Sequence, residues 1–84
     1  MSIPVHEAGV PMAAYIVADS TDDTIILIDT GGRRHLARAL HGTPPAGAEL
    51  HGPRPTPGFA LLSQASTQRL CRVIFEQVDV GRAA

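Results

Sequence analysis

Three sets of residues in this chain have side chains suited to chemistry or recognition. The first is the run Ile26-Leu27-Ile28-Asp29-Thr30-Gly31-Gly32. It presents a carboxylate at the end of an aliphatic segment, where glycine lets backbones approach closely. Two such carboxylates held side by side can share a proton and activate water. The second set is His35, His41 and His51 with Cys71, all ligand types that zinc accepts. The third is arginine, which supplies all seven basic residues, with no lysine. A guanidinium grips carboxylate or phosphate through two parallel hydrogen bonds.

The Asp29-Thr30-Gly31 triplet after an aliphatic strand resembles the active-site loop of retropepsin-type aspartic proteases. The resemblance implies a dimer, with Asp29 as the catalytic carboxylate, Thr30 orienting it and Gly31 allowing close backbone approach. The remainder of the chain departs from that pattern. Gly32 stands where the family usually has Ala or Ser, and Arg33-Arg34 follow in place of an acidic turn. The late apolar-apolar-Gly signature is met only by Val80-Gly81. A hairpin turn written Asp-Thr-Gly-Gly explains the same letters, and no catalytic residue is assigned.

The histidines and Cys71 are separated by six, ten and twenty positions, which includes no close chelating pair. No metal or other cofactor is expected. Cys71 alternates with Val73 and Phe75, an apolar face on which a thiol is inert. Nor does any glycine-rich segment have the spacing of a phosphate-binding loop.

The arginines carry more weight. Of the set Arg33, Arg34, Arg38, Arg54, Arg69 and Arg72, Arg34 and Arg38 share one face if 33–40 is a strand, and Arg72 on a neighbouring strand would extend them into a basic patch on the barrel wall. Barrel walls of that kind bind single-stranded nucleic acid when exposed aromatics stack the bases. Tyr15, Phe59 and Phe75 are the only aromatics, and the core is expected to need all of them. The isoelectric point of about 6.4 also lies below the value of about 9 typical of dedicated binders. The plainer reading has these arginines coating a small domain and pairing with Asp19, Asp22 and Asp23.

The elements that must position these residues are short. Met12–Ala18 reads as a strand with Tyr15 and Val17 on one face and Ile16 on the other. Asp19–Asp23 is a polar turn. Thr24–Thr30 returns as a strand whose aliphatic quartet is expected to be buried on both faces, and Gly31-Gly32 makes the next reversal. Residues 33–41 and 67–79 fit either a strand or a helical stripe; β-branched content and the tight glycine link favour strands. Residues 42–58 hold four Gly and five Pro and allow only a short strand near 48–51. Phe59–Ser63 is the remaining strand. The layout is mainly β: a small antiparallel barrel, OB-like, with an SH3-like barrel or an α+β arrangement having helices at 33–41 and 67–79 as alternatives.

At 84 residues one domain is expected, spanning 12–80, with an irregular arm at 1–11 and a frayed end at 81–84. Such a chain buries only about 60–65% of its unfolded surface, so a partner would add stability. The first 32 residues carry five acids and no base, and the remainder carries seven Arg against three acids. Interleaving in a closed barrel would cancel that asymmetry. One cysteine excludes an internal disulfide and fits a reducing, cytoplasmic setting. The apolar run Met12–Ala18 is far shorter than the roughly 20 residues of a membrane helix, so no membrane contact is expected. The chain is therefore read as a non-enzymatic interaction module acting by protein–protein contact, with a homodimer as one form of it. Its binding residues are expected among Arg33, Arg34, Arg38, Arg54 and Arg72, with nucleic acid as the runner-up partner.

Overall fold

The structure, a computed structural model, describes residues 12–81. The strands are β1 (Met12–Thr21), β2 (Thr24–Asp29), β3 (Arg34–Ala39), β4 (Glu49–Pro53), β5 (Gly58–Gln64) and β6 (Leu70–Gln77). They close into an antiparallel barrel in the order β1-β2-β3-β6-β5-β4, with β1 paired to both β2 and β4. Each described strand is paired on both sides, β4 with β5 through Leu50 opposite Gln64 and His51 opposite Ser63. The barrel has one strand more than the five of an OB barrel. The expected arm at 1–11 and residues 82–84 lie outside the described residues.

The helices considered at 33–41 and 67–79 are absent; those segments form β3 and β6. Alternation decided between the two. His35, Ala37 and Ala39 are buried between exposed Arg34 and Arg38, and Cys71, Val73 and Phe75 are buried between exposed Leu70, Arg72 and Glu76. A period of two satisfies every one of those positions, which a helical stripe cannot do. Extra residues in β1 and β6, marked by register shifts beside Val17 and Leu36, bend the sheet enough to close.

Two packing expectations are corrected. The aliphatic quartet is not buried on both faces: Ile25 and Leu27 are fully enclosed, while Ile26 and Ile28 are half-buried on the outer wall. A single-layer barrel has only one interior, so every second residue must face out. Nor does the core hold all three aromatics. Tyr15 and Phe75 pack in it at 5.8 Å between ring centroids, whereas Phe59 is 79% exposed. The interior is completed by Val17, Leu50, Leu62, Val73 and Ala37. Gly52 is the tightest point. A Cβ there would land on Leu62 Cδ2 and lie 3.0 Å from the Leu61 carbonyl oxygen, so β4 meets β5 only because this residue has no side chain.

The two ends of the barrel differ in their connections. At one end stand the β1–β2 turn at Asp22-Asp23, the 40–48 loop and the 65–69 turn. At the other stand the β2–β3 turn at 30–33, the β4–β5 loop at 54–57 and the segment 78–81 after β6. They are called below the Asp22 end and the Asp29 end.

Candidate functional site

Asp29 closes β2 and turns its carboxylate back on the chain. Oδ1 accepts the backbone N–H groups of Gly31 at 2.9 Å and Arg33 at 3.0 Å, and Oδ2 accepts a hydrogen bond from His35 Nε2 at 2.9 Å. The His35 ring is buried between Tyr15 and Phe75, with its edge or face toward each at about 6 Å. Its other nitrogen, Nδ1, accepts the Asp79 backbone N–H at 2.9 Å. An amide hydrogen at Nδ1 requires a lone pair there, so the neutral ring carries its proton on Nε2, toward Asp29. Burial opposes ionisation of Asp29, but the hydrogen bonds from His35, Arg33 and Gly31 outweigh it and hold the carboxyl below its ordinary pKa.

This geometry bears on the protease resemblance. A shared-proton dyad needs a carboxylate open to a second one. Asp29 directs both oxygens into its own turn and His35, and its side chain is only 16% exposed. The arrangement fixes a turn and links it to the segment after β6. Nearby, Val80 N–H donates to the Arg34 carbonyl and Arg34 N–H to the Gly81 carbonyl, both at 2.8 Å, so residues 80–81 are bonded to the start of β3.

The other metal-type residues do not gather. His51 pairs with Glu49, and His41 lies with Cys71 at the Asp22 end, far along the barrel from His35. Among the described residues no group of three or more His, Cys, Asp or Glu is placed to hold a metal ion. Cys71 is buried, and that burial raises its thiol pKa.

The five arginines divide. Arg33 and Arg54 line one depression at the Asp29 end. Arg34 opens β3, and Arg38 and Arg72 stand on the outer wall, where Arg38 is opposite Ile74 and therefore diagonal to both Arg72 and Glu76. Arg38 pairs with Glu76 and Arg33 with Asp79 at 3.9 Å. The expected partners Asp19, Asp22 and Asp23 are used by neither. The charge asymmetry along the chain largely cancels in space: Arg38, Arg69 and Arg72 lie in the same half of the barrel as Asp19, Asp22 and Asp23, while Asp29 and Asp79 stand at the other end with Arg33, Arg34 and Arg54.

Around Arg72 the wall is apolar. Cross-strand pairing sets Phe59 beside Ile74, Leu61 beside Arg72 and Ser63 beside Leu70, and Leu40 N–H donates to the Arg72 carbonyl at 2.8 Å. Phe59, Leu70, Leu61 and Leu40 are 79%, 66%, 49% and 41% exposed. Shallow hollows flank Arg72, one lined by Leu40, Phe59 and Leu61, the other by His41, Leu61 and Leu70. These exposed apolar side chains are neighbours on one wall of the barrel. Sequence reasoning missed it because Phe59–Leu62 are all apolar and do not show which parity faces inward. The signal available was the polarity of Arg72 and Leu70's neighbours on the strand that pairs with them.

Comparison with protein-family models, curated proteins and solved structures finds no match for this chain.

Proposed function

We propose that the protein is a small β-barrel interaction module that works by protein–protein contact through the β3–β6–β5 wall. One observation carries the reading: Phe59, Leu61, Leu70 and Leu40 stand exposed around Arg72, which makes no salt bridge with any described residue. Aromatic residues and arginine are the types enriched at interface centres, where each is surrounded by apolar contacts that exclude water. The complementary surface is apolar with a carboxylate opposite Arg72. A second copy of the chain is the first partner to test, since a small core gains most from added buried surface. Cys71, the only cysteine, is an unpaired thiol, which suits a reducing compartment, and a cytoplasmic site of action belongs to the same reading.

Sedimentation velocity of the wild type and Leu61→Asp over a wide concentration range tests the proposal. The expected result is a concentration-dependent dimer that the substitution abolishes without changing the far-ultraviolet circular dichroism. A wild-type monomer throughout removes the homodimer. The exposed Phe59, diagonal to Arg72 across β5 and β6, also favours a second reading, base stacking on single-stranded nucleic acid. Oligonucleotide titration at low and moderate salt separates them, because phosphate contacts give a steep salt slope and apolar protein contacts do not.

A further inference from the structure

The Asp29 end carries a second site, independent of the wall. The barrel mouth there opens into a depression of about 650 Å³. Arg33 enters it from the β2–β3 turn and Arg54 from the β4–β5 loop, with Thr30 and Thr56 beside them and Ala13 and Val78 as apolar lining. Its size is that of sites for small organic ligands.

Both loops are ordered by the fold itself. The turn bearing Thr30 and Arg33 is pinned by the Asp29 carboxylate, which His35 holds in place. The loop bearing Arg54 and Thr56 leaves β4 at Pro53, whose carbonyl accepts the Tyr15 hydroxyl at 2.7 Å, and Pro55 and Pro57 restrict its backbone further. Cationic groups on preordered loops lose little freedom when they engage a ligand.

The charges around the depression narrow the ligand class. Arg33 is half-exposed and only loosely paired with Asp79, and Arg54 makes no salt bridge with any described residue. Two guanidinium groups call for an anion. Asp79 on the rim and Asp29 behind it would repel a phosphate dianion more than a single negative charge. A carboxylate carries one charge and matches the guanidinium fork. The apolar lining then takes the body attached to it.

We propose that the Asp29 end of the barrel binds a carboxylate carried on a compact apolar body, held by Arg54 and Arg33 between the Thr30 and Thr56 hydroxyls. Such a group belongs either to a free short-chain carboxylic acid or to the carboxyl end of a polypeptide with an apolar last residue.

Titration of the ¹⁵N-labelled chain, followed by amide shifts, tests this. The probes are 4-methylpentanoate, 4-methylpentanamide, inorganic phosphate, and a short peptide ending in leucine with either a free or an amidated carboxyl. Saturable shifts at Gly31, Arg33 and Thr56 are expected with the free carboxylates, with each amide at least about tenfold weaker. Arg54→Gln, an exposed substitution that leaves the remaining spectrum in place, should weaken binding by about tenfold or more. Tighter binding of 4-methylpentanoate identifies the free acid as the source, and tighter binding of the free-ended peptide identifies the chain end. The proposal is overturned by the absence of saturable shifts up to on the order of 10 mM, by equal binding of acid and amide, by phosphate binding as tightly as either carboxylate, or by an unaffected Arg54→Gln variant.

Discussion

The two ends of the barrel are sealed by different chemistry. At the Asp29 end a single buried side chain is the hub: His35 joins the last residue of β2 to the backbone that follows β6, and Asp29 ties the intervening turn to itself. At the Asp22 end the bonds that join separate segments are neutral and dispersed. Thr43 Oγ1 donates to the Asp22 carbonyl at 2.8 Å and Ser20 Oγ to the Pro44 carbonyl at 2.9 Å, while Gly47 and Ala39 donate to the carbonyls of Val17 and Asp23. One end therefore concentrates its stability in a buried ionisable pair, and the other spreads it over several bonds whose ionisable members, Asp19 to the Ser20 N–H and Glu49 to His51, are exposed. Sensitivity to acid and to substitution should follow the same division.

His35→Ala should break the contrast most severely. It removes the acceptor for Asp79 and the donor to Asp29 and opens a void beside Tyr15 and Phe75, for a loss of about 3–4 kcal/mol in urea unfolding. Asp29→Asn should cost about 1–3 kcal/mol, because its amide group would meet the proton on His35 Nε2. The same variant sharpens the comparison through pH. A carboxyl whose pKa is lowered in the folded state stabilises the fold above its unfolded value of about 4, and that contribution is lost as pH falls through the lower folded value. The wild type should therefore lose stability below about pH 4, and Asp29→Asn should lack this part of the acid limb when urea midpoints are compared from neutral to low pH. At the opposite end, Ser20→Ala should cost only about 0.5–1.5 kcal/mol and leave the acid limb unchanged. Equal losses for Ser20→Ala and His35→Ala would remove the distinction between the ends.

The fold was largely legible in the chain where polar and apolar residues alternate. Arg34-His35-Leu36-Ala37-Arg38-Ala39 declares which parity faces inward, and so does Cys71-Arg72-Val73-Ile74-Phe75-Glu76. Legibility ended where alternation stopped. The runs Ile25–Ile28 and Phe59–Leu62 are apolar at every position, so only the closed barrel shows that Ile26, Ile28, Phe59 and Leu61 face out. The arginines were misleading for a related reason. Arg33 and Arg34 are adjacent in the chain, yet one belongs to a turn at the barrel mouth and the other to a strand. The bond from Asp79 to His35 spans 44 positions and had no local sign at all.

The place of β6 between β3 and β5 has a consequence for biosynthesis. A ribosome delivers β1, β2 and β3 as a ready meander, but β3 then waits with an open edge until residues 70–77 have left the exit tunnel. Closure thus waits for the last strand of the barrel, and pairings between segments so distant along the chain form slowly. During that interval β3 presents an unpaired edge, and a charged outward residue such as Arg38 on the waiting strand is placed to discourage mispairing with a neighbour.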